Sequence, residues 1–202
     1  VGGLIALPRT GQTLSCYPGD DGGLRQGVAW PCPRFADHGD GTVTDRLTGL
    51  MWTKEPVGEL TWTNGLGYIA GMNSGAQPSL GYHDWRLPNA LEGASLFDLS
   101  QNGRAYFQMS LPEGHPFAAD YFYGWTATAW AGDPTRKTFV LNRQGFLQLG
   151  ELTHYSGTPA FTSPVHPVRN DLRPLPVGSI TGSVSAAGAT LENVRVTLVG
   201  PL

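Results

Sequence analysis

Between Arg34 and Trp52 the chain reads RFADHGDGTVTDRLTGLMW, and this stretch sets the terms for the fold. Short apolar pieces (Phe35, Val43, Leu50 to Trp52) alternate with Gly-Asp and Thr-Gly turns. Such punctuation excludes long regular elements and favours short strands joined by tight turns. The 28 glycines and 16 prolines spread the pattern along all 202 residues. With 40% apolar and 10% aromatic residues the chain is nonetheless long and apolar enough to bury a sizeable core. The expected class is α+β: two helices flanking short twisted antiparallel sheets, with many loops.

Two segments carry a helical period. In LTWTNGLGYIAGMN, Thr61 is a cap, and Trp62, Leu66, Ile69 and Met72 recur at three- and four-residue steps. Three internal glycines weaken that helix. In NALEGASLFDLS, Asn89 is a favoured N-cap and Glu92 stands three residues on, the pattern of a capping box. Ala90, Ala94 and Phe97 would share one face of this second helix. The last third reads as strands: YFYGWTATAWAG, then a hairpin through KTFVLNRQGFLQLG, then SPVHPVRN, where Pro167 favours an edge or a strand start.

Charge excludes several functions. Only 14% of residues are charged, against about a quarter in typical domains. The net charge is −3 and no Lys/Arg-rich run exists, so nucleic acid is not an expected partner. No apolar run approaches the roughly 20 residues of a membrane span. The start, VGGLIALPRTGQT, lacks the basic region of an intact signal peptide. LPRTG at Leu7 to Gly11 matches a cell-wall sorting pattern, but such signals stand at the C-terminus, and the match reads as chance.

The two cysteines, Cys16 and Cys32, suit a disulfide closing a loop of about 15 residues, with about 3 kcal/mol of stabilisation and an oxidising compartment implied. Two free thiols are the other reading. Asp37, Asp40 and Asp45 in DHGDGTVTD raise calcium as an alternative to plain turns. Gly39 stands where a calcium loop needs an oxygen ligand, and neither Thr48 nor Gly49 supplies the closing glutamate. The expectation is therefore no cofactor, with Asp-Gly turns as the reading of these carboxylates.

An ordered series of motifs is the most specific feature: GDGTVTDRLTGLMW, a Trp-containing helix, DWRLPNALEGASLFDLS, HPF, YGWTAT, VLNRQGFL and HPVRN. This series resembles the Lcl C-terminal domain family, first met at the end of a collagen-like bacterial surface protein. The resemblance covers about residues 8–173, with 1–36 as an extended N-terminal part. It implies a C-type-lectin-like fold and a secreted, periplasmic or surface-anchored bacterial module. Gly93 stands where the family's helix has leucine. The lectin calcium motifs are absent, and the acidic chain does not suit the sulfated glycans that some members are thought to bind. PLPVGS then reads as a linker over 174–179. Residues 180–202 resemble the first two strands of a truncated β-sandwich module. Two strands alone are marginal, so self-association through this tail is one expectation.

GYHDWRLPN has the look of an active site, but Asp84, Trp85, Arg86, Asn89 and Glu92 are read as a structural joint leading into the second helix. The five histidines share no ligand spacing, and no zinc, nucleophile-elbow or phosphate-loop motif is present. The fold's relatives that generate formylglycine need a late cysteine pair, whereas both cysteines here are early. The expectation is a protein without catalysis. Ligand candidates fall later: Tyr121, Tyr123, Trp125 and Trp130 with Arg136, Lys137 and Arg143, and further polar contacts from Asn102 and Arg104. Aromatic faces beside hydrogen-bonding groups suit a glycan or protein ligand. A surface binding or adhesion module is the leading function, and a structural spacer in a multi-module surface or fibre protein is the alternative.

Overall fold

The computed structural model describes residues 7–100, 111–118, 123–133, 137–141, 147–151 and 161–171, with 137–141 and 147–151 described as backbone alone. Val1–Leu172 form one compact unit and Arg173–Leu202 a second, and the description concerns the first. The expected linker and β-sandwich tail lie outside the described residues.

A four-stranded antiparallel sheet organises this unit. It consists of β1 (Phe35–Asp37), β2 (Thr42–Asp45), β3 (Leu50–Thr53) and β9 (Val168–Asn170), in the order β1-β2-β3-β9. The hairpin read from GDGTVTDRLTGLMW pairs Thr42 with Thr53 and Asp45 with Leu50. Every residue of β2 and β3 is buried. Side chains alternate across a strand, so β3 serves two cores. Leu50 and Trp52 join Val43, Leu96, Phe97, Leu111, Phe117 and Val168. Met51 points the other way, to Ile69, Met72, Trp85, Leu87, Trp125 and Val165.

The second core is covered by α2 (Trp62–Ser74), capped by Thr61 and closed by Gly75 in the left-handed conformation at φ 81°. One of its glycines has a packing reason. A Cβ on Gly65 would stand 2.7 Å from Val165 Cγ2, so the bare backbone lets the helix close on that segment. The second expected helix is shorter than its pattern. It is α3 (Ala90–Ala94), with the Asn89/Glu92 capping box fully formed. The chain then tightens into turns, Leu96 N–H to Gly93 O and Phe97 N–H to Ala94 O, which carry Leu96 and Phe97 into the first core. Burial of those two side chains overrides the helical period beyond Ala94.

The remaining elements are small: α1 (Asp21–Leu24), β4 (Glu59–Leu60) with β8 (Ser163–Pro164), and a three-stranded sheet of β5 (Gly124–Ala129), β6 (Lys137–Leu141) and β7 (Leu147–Glu151). The expected hairpin is thus β6–β7, with Phe139 opposite Leu149. Two indoles strap β5 to the rest, Trp62 Nε1 to Thr126 O at 3.0 Å and Trp125 Nε1 to Leu60 O at 2.8 Å.

The expected Cys16–Cys32 disulfide is not formed; both thiols are free and exposed. Each segment is anchored separately. The Asp20 carboxylate accepts the backbone N–H groups of Cys16, Tyr17 and Gly23. Those bonds hold its pKa at about 2. Cys32 sits on the approach to Arg34, which is fixed independently by the buried Arg34–Asp45 pair.

Candidate functional site

The GYHDWRLPN segment is built into the sheet by three separate devices. The backbone of Trp85 is clamped by the Asn73 side chain of α2, which accepts from Trp85 N–H at 2.9 Å and donates to Trp85 O at 2.8 Å. Arg86 pairs antiparallel with Val168 of β9 through both backbone groups. The charged side chains then take different partners. Asp84 binds Arg169 of β9, Nε at 2.5 Å and Nη2 at 3.2 Å, and that guanidinium lies 4.1 Å over the Tyr82 ring. Arg86 makes a two-point pair with Glu92, each bond 2.7 Å, while Glu92 also accepts the Asn89 N–H.

The capping box and the ion pair are therefore one unit. Burial works to raise the Glu92 carboxyl, but the Arg86 guanidinium and the Asn89 N–H outweigh it and hold it below its usual range. Glu92 raises Arg86 in turn. Trp85 is buried in the second core. The Arg86 side chain is 42% exposed, so solvent screens the pair. Arg86→Ala is expected to lose about 1 kcal/mol of stability, read as a lower urea midpoint at constant slope.

The late aromatics are placed unevenly. Trp125 was expected at a ligand surface; it is 1% exposed, with Phe161 edge-on at 5.3 Å. Gly124, whose missing side chain lets β5 close on the Pro164 carbonyl, stands beside it, and Trp125 packs in the second core with its indole bonded to Leu60 O. Tyr123 is half-buried and donates its hydroxyl to Glu59 at 3.0 Å. Trp130 is the candidate shown at the surface, covering Gly132. Lys137 opens β6. Tyr121, Arg136, Arg143, Asn102 and Arg104 lie outside the described residues.

The calcium alternative finds its three carboxylates turned to different tasks. Asp37 binds Lys54 at 2.7 Å and the Gly39 N–H. Asp40 accepts the Thr42 N–H and hydroxyl. Asp45 is fully buried against Arg34 and also receives Leu47 N–H and the Thr48 hydroxyl. No group of His, Cys, Asp or Glu suited to a metal ion occurs among the described residues.

A concave site lies elsewhere, where the chain leaves β3 and passes beneath α2. This pocket holds about 250 Å³. Its apolar wall is Val57, Met72, Pro78 and Leu80, with Tyr68 from α2 beside them. Thr53, Lys54 and Glu55 supply the polar side, and Gly41 completes it. Leu80 stands on the rim, 37% exposed, in the left-handed backbone region at φ 53°. That conformation is uncommon for leucine and holds its side chain against Gly41, which has no Cβ to displace it. The site is not legible in the sequence because its residues come from four short pieces between 41 and 80. Periodicity marks Met72 as core and says nothing of Leu80.

The pocket, the joint and the β9 contacts fall within one matched region. A family model described as the Lcl C-terminal domain matches residues 41–169. No curated protein and no solved structure matches the chain. The matched span runs from Gly41 at the pocket to Arg169 at the joint and exceeds half of the sequence, so this chain belongs to the Lcl C-terminal domain family.

Proposed function

We propose that this domain is a non-catalytic binding module of a secreted or surface-displayed bacterial protein. In this reading it has a C-type-lectin-like architecture and serves adhesion to a glycan or protein. The carrying observation is the separation of tasks within the matched region. The charged groups of the joint hold the scaffold, Asp84 with Arg169 and Arg86 with Glu92. The pocket beside α2 offers instead an apolar wall with a few polar groups, the composition of a recognition site. Family membership adds support, because the family takes its name from a domain at the end of a longer protein.

The test uses the full chain against a glycan array and a panel of secreted and cell-surface proteins. Saturable binding is expected. Leu80→Asn keeps a residue that tolerates the left-handed backbone and removes the rim. It should weaken binding about fivefold, the equivalent of about 1 kcal/mol, without moving the unfolding midpoint. A folded chain that binds nothing would favour the spacer reading.

A further inference from the structure

We infer that the pocket between β3, α2 and Pro78–Leu80 receives a single basic side chain from a protein partner, its stem inside and its cation at Glu55. The inference rests on the binding-module reading and specifies its ligand. Size comes first. At about 250 Å³ the pocket falls below the roughly 300–1,000 Å³ of sites for drug-sized molecules, and suits one side chain. The wall of Val57, Met72, Pro78 and Leu80 is apolar and suits an aliphatic stem.

Charge selects the tip. Lys54 is the cation of the lining, and it is already paired with Asp37 at 2.7 Å. Glu55 follows it, exposed, with no ion pair or hydrogen bond among the described residues. With Lys54 held by Asp37, Glu55 is the unpaired charge of the lining, and it disfavours sulfate, phosphate or carboxylate groups. One further feature favours a cation over a neutral apolar tip. The Tyr68 ring attracts a cation through its π face.

The experiment follows the Met72 methyl signal of the full chain by NMR during titration. The probes are Nα-acetyl-lysine amide, its Nε-acetylated form, Nα-acetyl-norleucine amide and n-butylammonium. The lysine amide should bind about three- to fivefold tighter than either neutral analogue, as one exposed ion pair allows. Glu55→Gln should erase that advantage and leave Nα-acetyl-norleucine amide unchanged. Equal or tighter binding of a neutral analogue would overturn the cation assignment. Tighter binding of n-butylammonium than of the lysine amide would make this a site for free amines and overturn the protein partner. If no probe moves Met72 while panel binding persists, this inference fails and the binding-module reading stands.

Discussion

Asp45→Ala should lower the unfolding free energy by about 3–5 kcal/mol, the largest single effect expected for a charged residue here. Asp45 is fully buried and Arg34 is 6% exposed. The two form a double hydrogen bond, Nε to Oδ1 at 2.9 Å and Nη2 to Oδ2 at 2.8 Å. Removing the carboxylate leaves a guanidinium in the interior, between the Trp30 ring at 4.6 Å and the Phe35 ring at 5.0 Å. One of its nitrogens, Nη1, is already buried without a partner, and the acceptor that remains is the neutral Ser95 carbonyl, 2.6 Å from Nη2, which does not balance the charge. The turn after β2 also loses the acceptor for Leu47 N–H and the Thr48 hydroxyl. Urea unfolding at constant slope measures the loss. Replacing both partners by apolar residues, Arg34→Met with Asp45→Leu, should recover a large part of it, because desolvation of two charges is no longer required. A loss below about 1 kcal/mol for Asp45→Ala would show that water reaches the pair.

Acid should destabilise the fold through His166 before the carboxylates respond. His166 is 8% exposed, and burial lowers its pKa from 6.5 to about 3. Between those values the unfolded chain binds a proton that the folded chain does not. The contribution is therefore complete above pH 6.5 and is lost as pH falls toward 3. At about 1.4 kcal/mol per unit, the whole window is worth on the order of 5 kcal/mol. Asp37, Asp40 and Glu92, all lowered in the fold, add loss of the same sign at lower pH. Comparing urea midpoints at pH values of about 7 and 5 separates the two effects, since the carboxylates remain largely ionised there. His166→Gln should flatten the dependence in that interval. An unchanged slope in the variant would place its origin elsewhere.

Much of the local structure was legible in the sequence, because local rules decide it. Thr61, Asn89 and Glu92 mark helix starts through side chains that reach only three residues. The β2–β3 hairpin follows from Val43, Leu50 and Trp52 flanking a tight turn. What escaped depends on distant partners. Asp84 and Arg86 stand two apart, yet their salt bridges run to Arg169 and Glu92. Trp125 looked like a ligand aromatic but packs in the second core. Cys16 and Cys32 had a suitable separation, but Asp20 and Arg34 fix their segments independently. The pocket was invisible for the same reason: Glu55, Tyr68 and Leu80 belong to no common pattern.

One paired measurement separates a structural joint from a recognition pocket. Urea midpoint and partner binding are recorded on the same samples of Arg86→Ala and Leu80→Asn. Arg86→Ala should lower the midpoint while binding per folded molecule stays at the wild-type value. Leu80→Asn should keep the midpoint and weaken binding about fivefold. An Arg86→Ala protein that is fully stable but no longer binds, beside a Leu80→Asn protein that binds normally, would return the site to GYHDWRLPN and contradict the account.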